Sequence, residues 1–205
     1  MKLYNGMAPN GLRVTVFLAE KGIEIPTEIT NPLDGATRTD AFLKINPLGE
    51  IPALQLDSGE VITESIAICR YLEELHPDKP LFGANKLERA RIEMWNRRME
   101  LRLFRAIGDV GLHEFEFFKD KIEQMPDYAE TQKRAFLKEL SWLDESLSDG
   151  RSFIAGETFS VADITGAAAL MVAQFVQLTI PDELSHVKKW TGEIMSRPNF
   201  PKPSA

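Results

Sequence analysis

The chain has 205 residues, a formal net charge of −7 and 43% apolar residues, an ordinary composition for a globular protein with a real core. The acidic balance argues against non-specific nucleic-acid binding, and no apolar run reaches the roughly 18 to 20 residues of a membrane span. One cysteine cannot form an internal disulfide, and three scattered histidines do not make a zinc pattern. We therefore expect a metal-free cytoplasmic protein without nucleic-acid or membrane partners.

The first third of the chain alternates between strand and helix patterns. Val14, Phe17 and Leu18 have the i, i+3, i+4 spacing of a helix, and Gly22 supplies a left-handed stop. Alternating apolar residues on either side of a turn indicate a β-hairpin further on. The predicted elements are strands at residues 2–4 and 23–29, a helix at 12–21, a hairpin at 53–62 and a helix at 65–75.

The remainder of the chain has helical patterns. Residues 76–80 break the two parts, because two prolines three residues apart cannot lie inside a helix. We take residues 77–85 as a linker between a first domain, residues 1–76, and a second domain, residues 86–205. Long amphipathic helices are predicted at residues 87–118 and 129–147.

A strongly capped helix is predicted after Phe159. Ser160 is the expected N-cap, Asp163 stands three residues later, and Phe159 and Ile164 flank them as a hydrophobic staple. The helix that follows is small and apolar on nearly every side. We therefore expect it at the buried centre of a helical bundle.

Two features between residues 46 and 76 indicate a peptide ligand. Ile51–Pro52 follows a turn and enters a strand, so it is a candidate cis peptide; the alternative is an edge-strand proline. A cis bond would leave the backbone of Ile51 open to an extended peptide. Glu64 and Ser65 begin a helix, whose N-terminus attracts a carboxylate while a glutamate accepts from an amine. The alternative for this pair is simple helix capping.

Two stretches of the chain resemble the glutathione S-transferase superfamily. NPLGEIPALQLDSGEVITESIAICRYLEE resembles its glutathione-binding half, and FIAGETFSVADITGAAAL resembles the capped, buried helix of its C-terminal domain. The resemblance covers essentially the whole chain. It implies an α/β thioredoxin-like domain (βαβαββα) followed by an all-α helical bundle, in a homodimer. It also implies a detoxifying enzyme that uses glutathione as co-substrate against a small hydrophobic or electrophilic substrate.

The resemblance assigns the main glutathione contacts to four residues. Pro52 becomes the cis-proline, and the backbone of Ile51 bonds the cysteinyl part of glutathione. Glu64 and Ser65 hold the amine and the carboxylate of the γ-glutamyl group.

The other contacts that the resemblance implies are less defined. The glycine carboxylate would meet the loop that holds Thr37 and Arg38, and which of the two reaches it is open; the alternative for Arg38 is a solvated loop charge. The second substrate would lie against the long helices, where Phe104 and Phe115 are candidates for an apolar pocket with Met7 opposite. The alternative for these apolar side chains is core packing.

The first loop departs from the family's pattern. A thiol with a pKa of about 8.5 needs donors that stabilise its thiolate, and the superfamily usually supplies Tyr, Ser or Cys. Ala8 stands at the Ser or Thr position and has no hydroxyl. Asn10, in a Pro-Asn-Gly that resembles the bacterial Nu class, is the catalytic candidate; its alternative role is to cap the first helix. Such a site favours disulfides or peroxides, and it keeps a non-catalytic binding or regulatory protein as the alternative function.

Overall fold

The computed structural model describes residues 1–6 and 8–201 of the chain. The chain divides into two compact units, one up to Leu81 and one from Phe82 onward. The first is a mixed sheet with helices and the second is helical, so the predicted α/β domain followed by an all-α domain is confirmed. The linker at residues 77–85 stays a prediction.

The first unit is built on a four-stranded sheet in the order β2-β1-β3-β4. β1 and β2 are parallel, whereas the β1–β3 and β3–β4 pairs are antiparallel. The helix α1 begins three residues earlier than predicted, because its first residue is a proline, which is favourable at that position. The elements are β1 (Lys2–Asn5), α1 (Pro9–Lys21), β2 (Thr27–Ile29), α2 (Asp40–Leu43), β3 (Ala53–Gln55), β4 (Val61–Thr63) and α3 (Ser65–Leu75).

The helices α1 and α3 lie side by side and run in the same direction. Near their starts, Nη1 of Arg13 donates to the hydroxyl of Ser65 at 3.3 Å. Near their ends, Nζ of Lys21 pairs with the carboxylate of Glu73 at 2.8 Å. Both contacts join residues 52 positions apart. Because the offset is constant, the N-termini of α1 and α3 lie beside each other.

The second unit contains the predicted helices and two further features. The predicted helix at 87–118 continues through a π-helical segment, a wider winding that apolar spacing does not reveal. A last helix, α8, was not predicted. None of the helices in the described part of the chain is both long and apolar enough to cross a membrane. The elements are α4 (Lys86–Arg98), the π-helical segment (Met99–Phe104), α5 (Arg105–Glu114), α6 (Pro126–Ser146), α7 (Val161–Phe175) and α8 (Ser185–Met195).

The helix α7 is the buried helix that the sequence predicts, and its capping box is present. The carboxylate of Asp163 is fully buried and accepts from the backbone N–H groups of Ile154 and Ser160, at 2.8 and 3.0 Å. It also accepts from the Ser160 hydroxyl and from Nε1 of Trp190, both at 3.0 Å. Burial raises the pKa of Asp163, and the four hydrogen bonds oppose that rise. This carboxylate therefore joins the start of α7 to the preceding loop and to α8.

Candidate active site

A small open cleft in the first unit brings five of the predicted site residues together. It lies where the entry to β3 meets the first turns of α1 and α3. Three of its residues, Asn46, Glu50 and Thr63, were not predicted. The complete lining is Asn10, Asn46, Glu50, Ile51, Pro52, Thr63, Glu64 and Ser65.

The Ile51–Pro52 peptide bond is cis, as predicted. The alternative of an edge-strand proline is wrong, because Pro52 leads into β3, which lies between β1 and β4. Among residues 1–6 and 8–201, the backbone N–H and C=O of Ile51 have no hydrogen-bond partner. These groups are therefore available to an extended peptide that continues the sheet pairing.

Glu64 and Ser65 are not used to cap α3. Glu64 is the N-cap residue, but its side chain makes no capping bond, and it lines the cleft instead. Its backbone has φ 65° and ψ 117°, a conformation that costs a non-glycine residue about 1 to 3 kcal/mol. The buried hydroxyl of Ser65 accepts from Arg13. Neither residue therefore shows a side-chain capping bond to α3, and both line the cleft.

Arg13 was not predicted, although it lies directly behind Ser65. Its side chain is 1% exposed and belongs to the face of α1 that packs on α3. The signal was present in the sequence: Arg13, Phe17 and Lys21 are spaced four apart, so two cations share the buried face of a helix. Cations in such positions are rarely buried without a specific partner.

The first loop places Asn10 inside the first turn of α1 rather than at its cap. Ala8 is the N-cap and Pro9 the first helical residue, so the capping alternative for Asn10 is wrong. Asn10 is exposed and lines the cleft. Ala8 is half-buried and packs against the apolar cluster that contains Ile51. Met7, predicted to face the second substrate, lies outside the described residues.

Buried Asn5 fixes the start of α1. Its amide donates to the carbonyl of Gly11 and to the hydroxyl of Thr15, both at 3.1 Å. A Cβ on Gly11 would come within 2.2 Å of the Asn5 side chain, so only glycine fits there. The turn that carries Asn10 is therefore held on the end of β1.

Thr37 and Arg38 lie in a one-turn 3-10 helix and are not part of the cleft lining. Thr37 is only 1% exposed. Arg38 is exposed, and its Nη1 donates to the carbonyl of Leu48 at 3.0 Å. The Arg38 side chain passes over Gly49, where an added Cβ would come within 2.6 Å of Nη1 of Arg38. Arg38 thus supports the turn before Ile51, and its guanidinium has further N–H donors.

The predicted pocket residues of the second unit differ in their surroundings. Phe104 ends the π-helical segment and is half-buried. Phe115 stacks on Phe175, with ring centroids 4.9 Å apart and planes 10° apart, and Phe175 is 71% exposed. Phe115 therefore belongs to an aromatic pair in which Phe175 is exposed and Phe115 is half-buried. Within residues 1–6 and 8–201, no group of three or more His, Cys, Asp or Glu is arranged to hold a metal ion.

Known proteins match both halves of the chain. The family model described as "Glutathione S-transferase, N-terminal domain" matches residues 8–75, and "Glutathione S-transferase, C-terminal domain" matches residues 108–198. Glutathione S-transferase 2 of Saccharomyces cerevisiae is 31% identical over 198 residues, which cover 95% of this chain and 84% of that protein. A glutathione S-transferase domain-containing protein from Marinobacter aquaeolei VT8 has a solved structure with a TM-score of 0.91 and 35% identity, covering 98% of this chain and all of that one.

A relative of another kind is matched over only part of its length. Elongation factor 1-gamma 2 of Oryza sativa subsp. japonica is 26% identical, and the match covers 94% of this chain but 45% of that protein. The yeast and Marinobacter proteins, in contrast, are matched along most of their length at above 30% identity. The chain belongs to the glutathione S-transferase family.

Proposed function

We propose that this glutathione-dependent transferase acts in the cytoplasm, binds glutathione in the cleft of its first unit, and promotes attack of the thiol on an electrophile, a disulfide or a peroxide. The observation that carries the proposal is that the N-termini of α1 and α3 meet beside the cis Ile51–Pro52 bond. Helix N-termini favour anions. Glutathione brings its γ-glutamyl carboxylate to the N-terminus of α3 and its thiolate to the N-terminus of α1.

In the proposed pose, the peptide lies along the entry to β3. Ile51 bonds the cysteinyl backbone, Glu64 accepts from the ammonium group, and the hydroxyl of Ser65 donates to the γ-glutamyl carboxylate. For the glycine carboxylate we favour Arg38 over Thr37, because Thr37 is almost completely buried whereas Arg38 is exposed.

The amide of Asn10 donates to the thiolate, helped by the N-terminal end of α1. Without a hydroxyl at Ala8, thiolate stabilisation is weak. We therefore propose disulfides and peroxides as better substrates than aromatic halides, because they are reactive themselves. Phe104 and Phe115 of the second unit are proposed to contact the second substrate.

Two substitutions in the first loop test this chemistry. Asn10→Ala removes a donor to a charged sulfur, so we expect kcat with a model disulfide to fall roughly tenfold to a hundredfold. Ala8→Ser places a hydroxyl beside the Ile51 cluster, so we expect activity toward an aromatic halide to rise. Steady-state kinetics with a disulfide, a hydroperoxide and an aromatic halide measure both effects. If neither variant changes any of the three activities, the proposed thiol contact is wrong.

The same assays separate the enzyme from the alternative of a non-catalytic binding protein. A binding protein would retain glutathione on an affinity matrix but turn over none of the three substrates. The alternative is not favoured, because the relatives matched along most of their length are named as transferases.

We also propose a homodimer, as the family implies. Leu87, Met94 and Leu101 are exposed and seven residues apart, so they form one apolar stripe along α4 and the start of the π-helical segment. A second copy of the chain would remove this stripe from water.

Placing a charge in the stripe should dissociate the dimer. We expect Met94→Glu to give a monomer, because a carboxylate buried at an interface without a partner costs several kcal/mol. Light scattering after size-exclusion chromatography measures the mass. Leu137→Glu, at an exposed position on α6, is the matched control and should leave the mass unchanged. A wild-type monomer, or a Met94→Glu dimer, would show that the stripe is not the interface.

A further inference from the structure

A buried arginine stands behind the proposed carboxylate site. Arg13 is 1% exposed, and its Nη1 lies 3.3 Å from the hydroxyl oxygen of Ser65. Ser65 is the first residue of α3 and lines the cleft. The guanidinium therefore lies where the N-termini of α1 and α3 adjoin, on the protein side of Ser65.

This contact determines the direction in which the Ser65 hydroxyl donates. Arginine has only N–H donors, so the Ser65 oxygen must be the acceptor in its bond with Arg13. The hydroxyl hydrogen of Ser65 then points away from Arg13, and Ser65 has a side towards the cleft. The guanidinium also adds positive charge to two helix N-termini, which carry partial positive charges themselves. Both effects favour a carboxylate against Ser65.

We propose that Arg13 is a positioning residue for glutathione: it keeps the Ser65 hydroxyl as a donor to the α-carboxylate of the γ-glutamyl group and supplies positive charge behind it. This inference rests on the proposed glutathione site. The competing role is purely structural, in which Arg13 ties α1 to α3 as Lys21 does at the other end of the same two helices.

Three thiol peptides distinguish the two roles. Glutathione is compared with γ-aminobutyryl-cysteinylglycine, which lacks the α-carboxylate, and with glutaryl-cysteinylglycine, which lacks the amine. We expect Arg13→Met to raise the Kd of glutathione roughly tenfold to a hundredfold, because a charge-assisted contact is weakened. The variant should lose most of its preference for glutathione over the peptide without the carboxylate. Its preference over the peptide without the amine, which depends on Glu64, should remain.

Lys21→Met is the matched control. It removes a buried polar contact between α1 and α3, with Glu73, without touching Ser65. We expect a lower melting temperature but Kd values within roughly twofold of wild type for all three peptides. Arg13→Lys keeps the charge without the guanidinium fork, so its carboxylate preference should be intermediate, and it provides the test if Arg13→Met does not fold.

The outcomes separate the inference from the function on which it rests. If wild-type protein binds none of the peptides, the proposed glutathione site fails. If wild-type protein binds and discriminates, but the Arg13 variants weaken all three peptides by the same factor, Arg13 is structural only. Unchanged Kd values in those variants would overturn the inference in the same way.

Discussion

Replacing Ser65 with aspartate is expected to abolish glutathione binding while the protein stays folded. A carboxylate in the first turn of α3 interacts favourably with the helix dipole, and it faces the buried guanidinium of Arg13 at the position where Ser65 accepts now. It also occupies the place proposed for the γ-glutamyl carboxylate. The introduced carboxylate and the γ-glutamyl carboxylate would repel each other in direct contact, which costs several kcal/mol. We therefore expect the Kd of glutathione to rise at least about a hundredfold.

The decisive comparison is between binding and stability in the same variant. Titration calorimetry with glutathione measures the loss of affinity, and thermal unfolding followed by circular dichroism measures stability. Ser65→Asp should melt at or above the wild-type temperature. Ser65→Ala, the control, should bind roughly tenfold more weakly, because it loses one hydrogen bond to a charge without adding repulsion. A Ser65→Asp protein that binds glutathione as tightly as Ser65→Ala would refute the assignment of this site.

Of the substitutions proposed for this chain, removing the carboxylate of Asp163 should lower the free energy of unfolding most. Asp163→Ala leaves four buried donors without their acceptor: two backbone N–H groups, the Ser160 hydroxyl and the indole of Trp190. Each unsatisfied donor costs about 1 to 3 kcal/mol, and removing a desolvated charge offsets part of that sum. We expect the free energy of unfolding to fall by about 3 to 5 kcal/mol.

Tryptophan fluorescence during urea unfolding measures this loss selectively. All three tryptophans, Trp95, Trp142 and Trp190, belong to the second unit, which contains Asp163. Asp149→Ala is the control in the same unit, because its carboxylate is exposed and bonds Arg151 at the surface. That change should cost less than about 1 kcal/mol. Equal losses in the two variants would mean that the buried hydrogen bonds of Asp163 contribute little.

Local sequence signals predicted the parts of the fold that depend on neighbours in the chain. The capping box at Ser160 and the cis bond at Ile51–Pro52 are both present. Helix α3 has the predicted bounds. The capping box and helix α3 follow from a few adjacent residues. At Ile51–Pro52, Glu64 and Ser65 the residues alone left two alternatives open, and it was the resemblance to the glutathione S-transferase superfamily that predicted the cis bond and five residues of the cleft.

Features that depend on residues distant in the chain could not be predicted in this way. Arg13 and Ser65 are 52 positions apart in the chain, so Arg13 comes to lie behind Ser65 only when α1 and α3 pack side by side. Thr37 has the right side chain for a carboxylate but is buried by the fold. The π-helical winding of Met99–Phe104 was not predicted either, because one short segment contains too few apolar positions to show a change of period.

The π-helical segment has a consequence for how this chain tolerates change. The helix α4, the π-helical segment and α5 follow one another without a break. Because a π-helical turn holds about one residue more than an α-helical turn, this continuous helix contains one residue more than an α-helix making the same turns would. Deleting one residue from Met99–Phe104 would restore α geometry and leave the later side chains of this helix facing almost the same way, because the six π-helical residues turn the helix about as far as five α-helical residues do. The side chains of α5 should therefore keep their packing against α6 and α7. This segment is accordingly a place where the chain can lose one residue without losing the register of the helix.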